Sequence, residues 1–254
     1  MRSALAIVVI AACHRGSKTE TPKPQVPDAG VADAEVPVPD APPDAPPARI
    51  TFEPQPWKPG QTIKLWRKTT LSHVSGSEDL VDKYELSMKV DSADSNSTSV
   101  TIADDCKAVL ARGTAKVSGE CSGHANDVAY KLDLAAQLLA IPRGTVVAGT
   151  GANVFARPFV ALFKLQDAGA IITAHLATAT DQQAEYAMHA EIDGTMLRPG
   201  LHVLGKLDGT VRVDAHVTTI SGSISAPKVV ISGYPMADYT SKGALELAFG
   251  IEPQ

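Results

Sequence analysis

The chain has 254 residues, a formal net charge of -5, 44% hydrophobic residues and only 5% aromatics. This mildly acidic balance, with no Lys/Arg cluster interleaved with aromatics anywhere, argues against nucleic acid as a partner. No stretch beyond the amino terminus is long and apolar enough to span a bilayer, while the roughly 200 residues from Arg49 onward are enough to bury one substantial core.

At the amino terminus, Arg2 precedes the apolar run Ala4 to Ala12, which closes on Ile10-Ala11-Ala12-Cys13. A basic start, an apolar stretch and small residues at a cleavage point make up a secretory signal. The run is about half the roughly twenty residues a transmembrane helix needs. A buried amino-terminal element with Cys13 as a plain thiol is the rival reading. Cysteine directly after two alanines resembles the lipobox of bacterial lipoproteins, a likeness confined to the amino-terminal signal. The resemblance implies that residues 1–12 are a signal peptide cut before Cys13. It also implies that the Cys13 thiol takes a diacylglyceryl group and that the new amino terminus is acylated. The chain is then expected in the bacterial envelope, held to a membrane by its lipid. His14 stands where aspartate commonly marks inner-membrane retention in that family, which favours the outer membrane.

Residues 13–48 continue the design. Between 19 and 48 lie nine of the chain's 18 prolines, six acidic residues and no aromatic. Runs such as Val36-Pro37-Val38-Pro39-Asp40 lack the apolar surface needed to offset chain entropy, so a disordered tether is expected. In polyproline II form, at about 3.1 Å per residue, it reaches on the order of 90 Å.

From Arg49 to Gln254 the composition is that of a single β-rich globular domain. Alternation of period two dominates, the mark of strands with one buried face. It starts at Ile63, Leu65 and Trp66 and continues in Val81 to Val90, where Tyr84, Leu86, Met88 and Val90 share a face. Ser99 to Ala103, Ile171 to Thr178, Tyr186 to Ile192, Val211 to Thr219, Lys228 to Ile231 and Ala244 to Phe249 extend it. The expected fold is mainly β, a curved antiparallel sheet (sandwich or half-barrel) with at most one or two short helices. The candidate helix is Val128 to Ile141, with Asp127 as cap and Pro142 and Gly144 as stop. Its second half, Ala135 to Ile141, reads as helix. Its first half, with Val128, Tyr130, Leu132 and Leu134, fits helix or strand.

Asp208-Gly209 reads as a hairpin turn. A three-residue loop of Leu207, Asp208 and Gly209 would pair Val211 with Gly205, Val213 with Val203 and Ala215 with Leu201, making one apolar face. The same tripeptide at Asp193 to Thr195, one strand earlier, suggests a meander. Gly149-Thr150-Gly151 lacks the lysine and helix of a phosphate loop and reads as a turn.

Cys106 and Cys121 sit symmetrically about Gly113-Thr114, so a hairpin turning there sets them directly opposite one another. In an oxidising compartment a disulfide is favoured, worth about 3 kcal/mol in the chain-entropy model. A metal site with His124 and a pair of free thiols are the alternatives. Under the disulfide reading Cys13 is the odd cysteine, as a lipidated residue should be.

Catalytic motifs are absent: there is no Gly-x-Ser-x-Gly elbow, no His-Glu-x-x-His and no phosphate-cradling loop. His189 shares a face with Glu185 and Glu191, and His216 with Arg212 and Asp214. Adjacent strands would gather His189, His216, Glu191 and Asp214 into a metal or acid-base cluster. The plainer account is that both histidines lie on solvated strand faces. The expectation is therefore a non-catalytic binding or structural domain without cofactor, whose protein or ligand partner is unnamed by the sequence. One alternative is a carrier of lipid or another apolar ligand in a cavity between sheet and helix. Another is an envelope enzyme with a site built from scattered residues.

Overall fold

The computed structural model describes residues 47–73, 78–103, 106–121, 125–148, 166–196, 200–233, 236 and 240–254. The expected signal peptide, Cys13 and the expected tether up to residue 46 lie outside these, as do His124 and Gly149-Thr150-Gly151. Residues Ala45–Gln254 form one compact unit. Its elements are β1 (Arg49–Phe52), β2 (Thr62–His73), β3 (Leu80–Ala93), β4 (Ser97–Ala103), β5 (Cys106–Ala111), β6 (Lys116–Cys121), α1 (Ala125–Leu138), β7 (Gly144–Val147), β8 (Gln166–Ala179), β9 (Gln183–Thr195), β10 (His202–Asp214), β11 (Ile220–Ser232) and β12 (Thr240–Pro253).

Ten strands form one sheet in the order β6-β5-β4-β3-β2-β12-β11-β10-β9-β8, and β1 with β7 makes a separate ribbon. Every pairing is antiparallel. The sheet is thus two meanders, β2 to β6 and β8 to β12, joined along β2 and β12. Among the described residues it does not close into a barrel, β6 and β8 standing at its two ends.

It does curl. The β5–β6 turn and the β10–β11 turn belong to strands at least five places apart in the order, since β4, β3, β2 and β12 lie between β5 and β11. At about 4.8 Å per strand a flat sheet would hold them well over 20 Å apart. Yet Trp57 touches both, its indole N–H donating to the Thr218 carbonyl at 3.3 Å while the Arg112 guanidinium stands 4.5 Å from its ring. Only a strongly curved sheet allows one indole to bridge them.

Alternation explains the core. Along β3 the residues Leu86, Met88 and Val90 are buried and Tyr84 partly so, while their neighbours are exposed. The same rule buries Ile63, Leu65 and Leu71 on β2 and Leu245, Leu247, Phe249 and Ile251 on β12. The concave face is covered in part by α1, whose Leu132, Leu134, Ala135, Ala136 and Leu138 are buried, and whose Tyr130 meets Tyr84 edge to face with centroids 6.4 Å apart. Burial pushes the Tyr130 hydroxyl up to about 12.

A buried cation interrupts this face. Arg67 on β2 is fully buried, ion-paired to Asp82 on β3, with its guanidinium 4.8 Å from the Tyr84 ring. Desolvation lowers its pKa, opposed by Tyr84 and Tyr130.

Three sequence expectations need correction. There is no hairpin at Asp208-Gly209: β10 runs unbroken from His202 to Asp214, pairing along its whole length with β9. Val211 lies opposite Tyr186 and Gly222 instead of Gly205, and Val213 opposite Ala184 and Ile220 instead of Val203. A Cβ at Gly209 would stand 2.1 Å from the Ser223 carbonyl oxygen, so this glycine serves close strand approach instead of a turn. Asp193 to Thr195 belongs to β9, and the meander expected there is present, since β9 and β10 are neighbours in the sheet. The strand expected over Val211 to Thr219 stops at Asp214, where the Asp214 carboxylate accepts from the Thr218 backbone N–H at 2.7 Å and organises the turn. Finally, the helix runs Ala125–Leu138 and not Val128 to Ile141; its first half, left open by the spacing, is helical, and Asp127 lies within it, not before it.

The β5–β6 turn contains Ala115 at φ 51°. That left-handed conformation costs a non-glycine residue roughly 1–2 kcal/mol, against the roughly 0.5–1 kcal/mol of extra chain entropy that glycine loses on folding. Ala115→Gly is expected to raise the unfolding free energy by about 0.5 kcal/mol, read from the urea midpoint at constant slope. A lower midpoint would contradict the turn geometry.

Candidate functional site on the outer face of the sheet

The structure brings together some of the polar residues singled out in the sequence and separates others. β9 and β10 pair so that His189 lies opposite Asp208, Glu191 opposite Lys206 and Glu185 opposite Arg212. On the outer face these become a ladder. His189 Nδ1 lies 2.8 Å from Asp208 Oδ1, and its Nε2 3.7 Å from Glu191 Oε1. Lys206 Nζ lies 2.6 Å from Glu191, Arg212 Nε 2.7 Å from Glu185, and His202 Nε2 2.9 Å from Asp193.

His189 and Glu191 therefore do meet. His216 and Asp214 do not join them: they sit at the opposite end of β10 and in the turn beyond it, because that strand does not fold back at Gly209. His216 is exposed, its ring nitrogen 3.5 Å from Gln55, and it lines a small recess of about 430 Å³ with Arg49, Glu53 and Asp181. Among the described residues no group of three or more His, Cys, Asp or Glu side chains is placed to hold a metal ion.

The electrostatics of the ladder are those of paired surface charges. The Asp208 hydrogen bond raises the His189 pKa above its ordinary value, with Glu191 adding to it. Lys206 holds the Glu191 carboxyl down, and Glu191 in turn raises Lys206. His189 is expected to titrate above the usual histidine range by NMR, and Asp208→Asn to bring the midpoint back toward it. The matching stability is fully present below the unfolded-state value of about 6.5 and is lost as pH rises through the raised folded value. An unchanged midpoint in Asp208→Asn would sink this assignment.

Beside the ladder lies the larger concavity, about 1020 Å³, formed by Ile171, Leu204, Val230, Lys206, Lys228 and Lys242 with neighbours on β8 to β12. A bulge in β11 helps shape it. Ala226 pairs with Leu245 and Val229 with Gly243, leaving Pro227 and Lys228 as an irregular step between them. Proline is tolerated inside a sheet at such a step, where the ladder lacks a hydrogen bond anyway. Both Pro227 and Lys228 are exposed as a result.

The groove floor is apolar and wet. Ile171 is 64% exposed, Leu204 47% and Val230 40%, and Leu204 lies directly opposite Val230. Its charges are of two kinds. Glu191, Asp193 and Asp208 are matched by Lys206, His202 and His189. Lys228 and Lys242 are exposed, and neither has an ion-pair partner among the described residues. No local sequence pattern announces this groove, since it depends on which strands adjoin.

The inner face offers a contrast. The described part beneath α1 is occupied by the buried side chains of Leu134, Leu138 and Leu139. No described helix is long and apolar enough to cross a membrane. At the far end of the sheet, β5 and β6 set Cys106 opposite Cys121, the register expected from their symmetry about Gly113-Thr114. Cys106 is buried. No protein-family model matches the chain, and no curated protein matches it.

Proposed function

We propose that this chain is a lipid-anchored protein of the bacterial envelope whose β-domain acts by binding and not by catalysis. The observation that carries the reading is the order of parts: Ile10-Ala11-Ala12-Cys13, a proline-rich acidic stretch, then one compact sheet domain. In this reading Cys13 bears the acyl chains, residues 19 to 48 act as a stalk, and the outer membrane is the site of attachment. Stable anchoring needs more than one acyl chain, which a triacylated amino-terminal cysteine supplies. A working surface on the sheet is supported by the open apolar groove, of the size that small-molecule sites occupy. Half-exposed His189 with its well-solvated Asp208 lacks the water-excluding surroundings that acid-base catalysis uses.

Within the same proposal Cys106 and Cys121 are bridged, supported by their directly opposed register and by export to an oxidising compartment. Intact mass after expression in a lipoprotein-processing host tests both parts. The wild type is expected to lack residues 1–12 and carry acyl mass, whereas Cys13→Ser retains the signal and carries none. Reduction should add two hydrogens. A wild type with residues 1–12 and no acyl mass would refute the anchor.

A further inference from the structure

We infer that the outer groove binds a single-chain amphiphile with an anionic head, resting on the reading of the domain as a binding module. The head is held between Lys228 and Lys242, and the tail runs over Val230 and Leu204 toward Ile171.

Three observations lead there. First, apolar exposure is concentrated: Ile171, Leu204 and Val230 line one concavity, together with the edges of Pro227 and Val229. Burying such surface is favourable at about 25 cal/mol per Å², so the groove has a stake in an apolar occupant. Second, its charge is sorted by position. The acidic groups on β9 and β10 are already matched within the ladder, while the two lysines on the β11–β12 side are not. The unmatched charge offered to a ligand is therefore positive. Third, the two lysines are near one another. Lys242 lies opposite Val230, and Lys228 is two residues along β11, a diagonal of roughly 7–8 Å between backbones. Flexible four-carbon stems let both ammonium groups converge on one head, and their methylenes extend the apolar wall. The β11 bulge is what places Lys228 on this side, because it turns two successive residues outward.

A small free anion would use the lysines but leave the apolar floor wet. A neutral apolar molecule would use the floor but leave the lysines unmatched. An anionic amphiphile satisfies both, and a carboxylate or a phosphate head serves equally.

The test uses the full chain carrying Cys13→Ser, so that its own acyl chains do not compete. Calorimetric titration with laurate, dodecyl phosphate and dodecyltrimethylammonium, all below their micelle concentrations, compares head groups on one tail length. The two anions are expected to bind, and the cation at least about tenfold more weakly. Lys228→Glu with Lys242→Glu should weaken laurate at least about tenfold, and Leu204→Asp should abolish it, with circular dichroism unchanged. Lys89→Glu, at an exposed position of β3, is the control and should leave affinity as it was. Inorganic phosphate alone should not bind. Equal affinity for cation and anion, or laurate binding indifferent to all groove variants, overturns the proposal. So does Lys-dependent binding to phosphatidylglycerol vesicles without any binding of laurate, which would make this face a membrane contact. If Cys13 is acylated and no amphiphile binds, the ligand falls and the anchor stands. If laurate binds through the lysines and Cys13 is unacylated, the reverse holds.

Discussion

Gly209→Val is expected to abolish the cooperative fold, and Gly209→Ala to cost about 3 kcal/mol or more. An ideal Cβ at this position stands 2.1 Å from the Ser223 carbonyl oxygen and 2.6 Å from the Ile224 Cα. Both atoms are backbone of the neighbouring strand, so no rotamer change relieves the clash. Overpacking a core with a flexible neighbour costs about 1–3 kcal/mol, and parting two internal strands of a sheet costs more. Gly113→Ala is the instructive comparison. A Cβ there meets nothing within 4 Å, and the only penalty is the left-handed backbone at φ 73°, about 1–2 kcal/mol. Urea denaturation followed by circular dichroism separates the two cases. If Gly209→Val unfolds at the wild-type urea concentration, β10 is not continuous through this point.

The second large effect concerns Arg67. Asp82→Ala is expected to destabilise the domain by about 3 kcal/mol, toward the low end of the range for breaking a buried pair because the Asp82 side chain is 33% exposed. The cost arises from stranding a cation whose own side chain is fully out of water. Adding Arg67→Met to that variant removes the charge and keeps much of the volume, and should recover most of the loss. A double-mutant cycle measures it. Near-additive losses would show that Asp82 does not hold Arg67 in place.

The fold class was legible because burial on one face writes itself as alternation. Tyr84, Leu86, Met88 and Val90 announced β3, and the symmetry of Cys106 and Cys121 about Gly113-Thr114 announced the β5–β6 register, since both are local properties. Asp208-Gly209 misled for a physical reason. Glycine is needed both for left-handed turns and for close backbone approach, and only the position of Ser223 on another strand tells them apart. That one error also hid the site. With β10 folded back at Gly209, Asp208 would sit in a turn and His189 would lack its partner. With β10 continuous, the two face each other directly. The first half of α1 was ambiguous because Val128, Tyr130, Leu132 and Leu134 satisfy a period of two as well as helical spacing. The groove was illegible altogether: its lysines and apolar residues lie on separate strands, brought together by pairing and by one extra residue in β11.

The joint between β2 and β12 bears on the order in which the domain assembles. Each meander is built from hairpins between successive strands, contacts that form early because little chain entropy is spent in closing them. The joint is different: the Trp66 indole donates to Glu252 across 186 residues of sequence. Two half-sheets can therefore mature while β2 and β12 still expose unpaired backbone, and the slow step is their union. Until then each half carries a sticky edge of the kind that pairs with other chains. The domain is most vulnerable to misassembly in that interval, and substitutions that weaken the joint should lower yield before they lower stability.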